Sequence, residues 1–380
     1  MPIPLQDLIV RSDTSRIQVR LEPVYNALHS LVLISRTDQY AGLDDWVART
    51  NQAMNAEERQ RHKLVMEGLY YAIQPSESLS SFPVYLEHLN TLEPLALRDK
   101  MIEAYVQHTP RTTSGEVKPW HHWTETEQQT VLSSVENYLA FLNEHFEPSH
   151  LDIEIESRAY SYVIDPLTMK DLIVSHLRGM WDRYLRDEWV RVRPMLEDSV
   201  KAFRPLNFST MSNLEAARLI TGQEQIEPKW AEHIEEAQQV VFVPNAHVGP
   251  YLGKFMHGQS LGIIFGARLP KGLSIESPDL RRAEILVHLN ALADETRLRI
   301  LYWIAEHGEQ RSQEIMRGLG LSQSTTSRHL SQLTAAGLLS ERWVEGGKCY
   351  IVNSNRVREV LEAIAAYMRL DGFAPNAATN

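Results

Sequence analysis

The sequence has one cysteine, Cys349, among 380 residues. A single thiol excludes an internal disulfide framework and a thiolate metal cluster within one chain. Long apolar runs are missing too. Runs such as Leu31–Ile34, Val240–Val243 and Leu261–Phe265 fall far short of the roughly 20 residues that span a bilayer. The N-terminal stretch MPIPLQDLIV has neither the basic start nor the extended apolar core of a secretory leader. These absences lead to the expectation of a cytoplasmic protein. Equally absent are HExxH, Gly-x-Ser-x-Gly, a P-loop and a Gly-x-Gly-x-x-Gly that opens a helix. Nothing in the chain requires catalysis, so no catalytic residue, cofactor or metal site is expected. There is no internal repeat and no low-complexity tract.

What is present is ordinary in bulk and uneven in distribution. The length suffices for two or three domains, and a hydrophobic content of 43% with 23% charged residues suits a globular chain. The formal net charge of −11 argues against nucleic-acid binding by the whole surface. Residues 1–280 hold 26 Lys+Arg against 38 Asp+Glu, whereas residues 311–358 hold 7 against 3. The chain therefore carries a basic island near its C-terminal end, and phosphate contacts would be confined to it.

That island is the most structured text in the sequence. Residues 312–353 read as a short helix, a tight turn, a second helix and a two-stranded hairpin. Ser312 is a candidate N-cap with Glu314 in the first turn. Gly320 stands where a helix must end with φ > 0. Ser322 caps the next helix, along which Thr326, Leu330 and Leu333 form one buried stripe. Ser324, Ser327, Arg328 and Ser331 lie off that stripe, toward solvent, and Gly337 ends the helix. The hairpin turns through Glu345-Gly346-Gly347-Lys348. A two-residue Gly-Gly loop would set Trp343 opposite Tyr350. A helix-turn-helix with a β-wing is a DNA-binding arrangement, and small polar residues with one arginine suit a major groove.

The chain as a whole reads as mainly α with minor β: a mixed α/β N-terminal domain and a C-terminal winged helix-turn-helix. Residues 21–50 are helical with Tyr25, Leu28, Leu31 and Val32 on one face. Residues 56–73, 84–105 (broken at Pro94), 126–146, 165–203 and 213–221 are also helical. Residues 74–83 and 108–123 are loops. Leu151–Val163 alternates enough to be a strand or a buried helix. Strands are expected near 240–243 and 261–269. PKGLSIESPDL, residues 270–280, is the best linker. The resulting domains are 1–270, a linker 271–280, 281–370 and a tail 371–380. Helices are expected over 281–292, then from the cap Asp294 to Gly308, and again after Asn355, with Val357, Val360, Leu361, Ile364 and Met368 on one stripe.

The segment from Leu292 to Tyr350 resembles the winged helix-turn-helix of the ArsR family of bacterial transcriptional regulators. The resemblance rests on Leu292-Ala293-Asp294 before Thr296-Arg297-Leu298-Arg299-Ile300-Leu301. It continues with Gln323-Ser324-Thr325, Ser327-Arg328-His329-Leu330, and Ala336-Gly337-Leu338 leading into the Gly-containing wing. It covers roughly residues 281–370 and implies a transcription factor that represses by binding double-stranded DNA as a homodimer. Pairing would fall to residues 284–292 and 356–369, and half-sites would lie about 34–36 Å apart. Carried over by position, Gln323, Ser324, Ser327 and Arg328 would face bases. Arg328 could meet guanine and Gln323 adenine. Thr325 and His329 would serve as capping or phosphate-side groups, and Arg342 and Lys348 on the wing would meet phosphate or the minor groove. Thr326 stands where the family usually has valine, so its hydroxyl needs a partner, a carbonyl one turn back. The family's familiar metal ligands are absent: residues 310–313 hold no thiol, and 356–370 hold no Asp or His.

Control by a small-molecule effector would then fall to residues 1–270. The candidates there are Trp120-His121-His122-Trp123 and His247. The first could clamp a ligand or a metal, although packing is the simpler reading. The second follows a β-type run, where α/β proteins often bind ligands. Asp152, Glu154 and Glu156 would share one face if their segment is a strand. Cys349 reads as a packed strand residue. The alternative function is an enzyme or protein-interaction module that carries an accessory winged helix.

Overall fold

The computed structural model describes residues 16–107, 124–146, 151–257, 260–270, 277–344 and 347–370. Among them no helix is long and apolar enough to cross a membrane. The chain divides into two compact units, Glu22–Pro194 with His247–Gly249, and Met1–Leu21 with Met195–Ala246 and Pro250–Asn380. Each is described by itself.

The first unit is helical. Its elements are α1 (Pro23–Ser35), α2 (Asp45–Ala53), α3 (Ala56–Lys63) running into a π-helical turn at Leu64–Gly68, α4 (Phe82–Thr91), α5 (Pro94–Gln107), α6 (Glu125–Leu132), α7 (Val135–His145), α8 (Ile153–Val163) and α9 (Pro166–Met180). A second π-helical turn, Trp181–Leu185, leads into α10 (Arg186–Phe203), whose later half belongs to the other unit. The first helix is not the one-faced element its periodicity suggests. Val24 to Leu28 and Ser30 to Ile34 are all buried, so α1 is a central helix enclosed on every side. Its buried polar groups must then be satisfied inside the protein. Tyr25 donates to the Pro75 carbonyl at 2.9 Å, and His62 Nε2 meets the Leu31 carbonyl at 2.8 Å. His62 Nδ1 in turn lies 3.0 Å from His176 Nε2 on α9.

Two further expectations change here, and one left open between strand and helix is resolved. The helix expected over 126–146 is two, because Ser134 starts a new one by accepting from the Asn137 amide at 3.2 Å. Residues 21–50 likewise hold two helices, with Asp44 capping the second. Leu151–Val163 is a helix: Asp152 caps it by accepting from the Glu154 and Ile155 amides. Asp152, Glu154 and Glu156 therefore do not share a strand face.

The second unit joins a small sheet to the winged helix. Its sheet comprises β1 (Ile17–Val19), β2 (Gln239–Asn245), β3 (Gly253–His257) and β4 (Ser260–Gly266) in the order β1-β2-β4-β3. Strands β1 and β4 run parallel to β2, and β3 is antiparallel to β4. A near-continuous Val/Ile/Phe run is what a strand buried on both faces requires. Val240 to Val243 are at most 2% exposed. Helices α11 (Asn213–Thr221) and α12 (Pro228–Glu236) supply Ala216, Ala217, Ile220 and Ile234 to the same core.

The winged helix follows as α13 (Pro278–Leu292), α14 (Glu295–His307), β5 (Gln310–Arg311), α15 (Ser312–Leu319), α16 (Gln323–Ala335), β6 (Leu339–Val344), β7 (Gly347–Val352) and α17 (Ser354–Tyr367). Ile300, Ile304, Ile315, Leu330, Leu333 and Leu338 form its core. A Cβ built on Gly318 of α15 would stand 2.3 Å from the Trp303 ring of α14, so the two helices touch only because residue 318 has no side chain. Two caps sit one or two residues earlier than expected. The Arg311 amide donates to Glu314 at the start of α15, and Asn353, not Asn355, caps α17 by accepting from the Arg356 amide at 3.1 Å. The wing register also differs from the expectation. Trp343 pairs with Lys348, and Tyr350 with Glu341. Val344 lies opposite Gly347, so Gly347 belongs to the strand rather than to a Gly-Gly loop. The stripe expected on α17 is uneven: Val360 is buried, while Leu361 is 47% and Met368 61% exposed.

Candidate nucleic-acid interface

The surface around α16 is fixed by local chemistry. Gly320 adopts φ +66 and ends α15; Ser322 then accepts from the Thr325 amide at 3.2 Å and starts α16. Ser322 also donates to Thr325 Oγ1 at 2.8 Å, which ties the first turn together. Thr326 is fully buried, and its hydroxyl donates to the Ser322 carbonyl at 2.9 Å, the partner one turn back that the residue needs. With Thr326, Leu330 and Leu333 turned inward, Gln323, Ser324, Ser327 and Arg328 stand exposed together at the N-terminal end of the helix. Thr325 is half-buried beside them. This is the part of a recognition helix that enters a major groove.

His329 does not belong to that surface. It is only 9% exposed and packs on the inner side. Burial outweighs the attraction of Asp294 and holds its pKa below the ordinary histidine value. Its burial sets it apart from the exposed cluster of Gln323, Ser324, Ser327 and Arg328.

The wing carries the two expected cations, and both are engaged. Arg342, 69% exposed at its side chain, grips the Glu309 carboxylate through Nε and Nη2. Lys348 donates to Glu341 at 2.9 Å. Exposed pairs of this kind are worth little, so a phosphate can replace the carboxylate at small cost.

Arg297 is a structural residue that periodicity alone does not reveal. It is 7% exposed, and its guanidinium donates to the carbonyls of Ala291 and Asn290, each at 2.6 Å. Those carbonyls lie at the C-terminal end of α13, where a helix leaves acceptors without amides. Asp294 caps α14 by accepting from the Arg297 amide at 2.9 Å and lies 3.7 Å from the guanidinium. The Asp294–Arg297 spacing was the readable signal; the clasp onto the preceding helix was not.

The remaining candidates fall in the other unit. Trp120, His121, His122 and Trp123 lie outside the described residues. His247 is 1% exposed, with Nδ1 at 2.8 Å from Ser30 Oγ and Nε2 at 2.8 Å from Glu188 Oε1. Trp46 packs over the ring at 4.5 Å. Burial pushes the Glu188 carboxyl up, but hydrogen bonds from His247 and Arg191 prevail and hold it at about 2. A serine, a histidine and a glutamate in series have the order of a hydrolytic relay. Here Ser30 is 1% exposed and its hydroxyl also reaches the Asn26 carbonyl at 2.9 Å, so no substrate can approach it. Asp44 brings a carboxylate within 4.8 Å of the other two groups, which is a metal-type donor set. Both His247 nitrogens are already engaged, and Asp44 caps α2, so the cluster is closed by its own bonds. Beside it lies a cavity of about 460 Å³ lined by Trp46, Arg49, Tyr184 and Glu188, among others. The cluster reads as a brace across α1, α10 and the 247–249 loop.

Comparison with known proteins agrees with the geometry of α14 to α16. Residues 294–341 match the model of the bacterial regulatory proteins of the arsR family. The arsenic resistance transcriptional regulator ArsR1 of Pseudomonas putida is 49% identical over 51 residues. That match covers 13% of this chain and 40% of the regulator, so the chain spans well under two thirds of its relative. The C-terminal part of the chain is an ArsR-type helix-turn-helix.

Proposed function

We propose that the chain is a cytoplasmic DNA-binding transcriptional regulator rather than an enzyme. It reads a pseudo-palindromic operator as a homodimer and acts as a repressor whose DNA affinity a small-molecule effector controls through residues 1–270. The observation that carries this reading is the outward cluster of Gln323, Ser324, Ser327 and Arg328 at the start of a capped helix. It lies in the basic island of an acidic chain, where 7 cations face 3 anions over residues 311–358. Pairing would use α13 and α17, which leave Leu286, Leu361, Met368 and Leu370 between 46% and 61% exposed. Apolar side chains this exposed on two neighbouring helices are what a two-fold partner covers.

The test is fluorescence anisotropy on the DNA upstream of the protein's own coding region, against random duplex, across a salt titration. Affinity should fall steeply with salt. Arg328→Ala should weaken the specific site by about 1–3 kcal/mol and leave random DNA nearly unchanged. Equal binding of both duplexes by wild type and variant would end the reading.

A further inference from the structure

We propose that the cleft between α13 and α17 is a binding site for a small organic monocarboxylate, and that its occupation adjusts the reading head. This goes beyond the regulator reading, which places effector control in residues 1–270, and rests on its DNA-binding part. The cleft has a volume of about 530 Å³, within the range of about 300–1,000 Å³ common for small-molecule sites. Its polar wall includes Arg268, His288 and Arg356, and its apolar wall includes Ile285, Val360 and Tyr367.

Two buried donors in that wall have no acceptor. Arg268 lies two residues past β4 and is 6% exposed. Its backbone is pinned on both sides by Ser199, whose hydroxyl accepts from the Arg268 amide at 3.2 Å and meets the Arg268 carbonyl at 2.8 Å. Its guanidinium occupies the space a Cβ at Gly222 would fill, 1.2 Å from Nη1, and Gly222 itself has φ +72. The fold therefore places this cation deliberately, yet its ion pair with Glu284 is long, at 3.5 Å, and Nε has no partner. His288 is 9% exposed, and its Nε2 lies 3.2 Å from Arg356 Nη2. A guanidinium can only donate, so Nε2 accepts and the ring proton sits on Nδ1. That Nδ1 is buried without a partner. Burial, then Arg356 and Arg268, depress His288 to about 3, so the ring is neutral and the tautomer holds at neutral pH.

Buried N–H groups without acceptors are rare, because each forfeits its water and gains nothing. Both of these donors belong to residues of the cleft wall, and a small side-chain turn toward a ligand that brings two acceptor oxygens would satisfy them; a carboxylate is the smallest group that does so. The charge balance, three cations against three anions, limits the ligand to a low charge. Arg268, Arg281 and Arg356 stand against Glu284, Glu359 and Glu362 around the cleft, which disfavours a dianion such as phosphate. The apolar wall takes the hydrocarbon body of the acid. The Arg356 stem also lies against Gly337, the residue that ends the turn after α16; a Cβ there would sit 3.4 Å from Arg356 Cγ. A ligand that pulls on His288 and Arg356 thus bears on the C-terminal end of the recognition helix.

The test uses the full-length chain and isothermal titration with benzoate, hexanoate, acetate, hexanol and inorganic phosphate. Benzoate or hexanoate should bind saturably, at one per chain, and acetate and hexanol should bind at least about tenfold more weakly for want of the body or the two oxygens. His288→Leu and Arg268→Lys should each weaken the carboxylate about tenfold or more, with thermal unfolding showing that His288→Leu remains folded. The proposal is overturned if neither acid binds below about 10 mM, if phosphate binds more tightly than both, or if His288→Leu binds as wild type does. It is also overturned if wild type binds no probe and His288→Leu weakens self-association, since a second copy would then be supplying the acceptors. Carboxylate binding is read without DNA, and DNA binding by the unliganded protein is read without carboxylate, so failure of one leaves the other intact.

Discussion

Arg297→Met separates a structural cation from a DNA-reading one. Methionine keeps the apolar stem and removes the guanidinium, hence two bonds of 2.6 Å to the carbonyls that end α13 and the contact with Asp294. Hydrogen bonds from a charged donor contribute about 1.5–3 kcal/mol each, so the gross loss is roughly 3–6 kcal/mol. Burying a cation costs several kcal/mol that the variant recovers in part. Burial also lowers the Arg297 pKa, as expected of a strained charge. The two effects leave a net destabilisation of about 2–4 kcal/mol, concentrated at the α13–α14 junction. Hydrogen exchange read by mass spectrometry should show it as roughly 100-fold faster opening around residues 286–296, with the strands of the sheet unchanged. Salt dependence of DNA binding should keep its slope, because no phosphate contact is lost. Unchanged exchange at the junction together with a shallower salt slope would refute the clasp and make Arg297 a phosphate ligand.

Thr326→Val should be neutral or stabilising, within about 1 kcal/mol in denaturant unfolding, because the Ser322 carbonyl still accepts from the residue 326 amide at 2.9 Å and a buried hydroxyl becomes a methyl. A loss above about 2 kcal/mol would mean the hydroxyl holds α16 in place. Arg342→Ala with Lys348→Ala should barely alter stability, since both pairs are exposed, but should reduce the salt slope of DNA binding by about 1–2. An unchanged slope removes the wing from the interface. His62 and His176 are depressed to about 4 and about 3, mainly by burial. Groups depressed in the fold contribute fully above the unfolded value near 6.5 and lose that contribution as pH falls toward 4 and 3. Urea midpoints should therefore drop steeply between about pH 6.5 and 4, and His176→Phe should flatten the drop; parallel curves for the two proteins would contradict the assignment.

The reading head was legible because its determinants are local. Gly320, Ser322, Gly337 and the Thr326–Leu330–Leu333 stripe each act within a turn or two of chain. The hairpin register was missed by one step because the sequence of residues 345–348 suits more than one placement of a two-residue loop, whereas Gly347 and Lys348 pair with Val344 and Trp343. The split at Ser133–Ser134 was hidden because apolar residues on both sides keep helical register across it. His247 could be picked out, but not its partners: Ser30 is 217 residues away and Glu188 is 59 away. No spacing rule reaches that far. The cleft at α13 and α17 was similarly unreadable, since Arg268 joins it from a strand end across a linker.

Gly318 has a consequence for how the protein can fail. The contact between α14 and α15 exists because a Trp303 ring lies where any side chain at 318 would be. An alanine there leaves every DNA-facing group chemically intact and changes only the wedge angle on which α16 is presented. Lesions that abolish operator recognition should therefore accumulate at such spacer positions as readily as at the base-reading ones. A selection for loss of DNA binding would map the hinge geometry of the motif along with its chemistry.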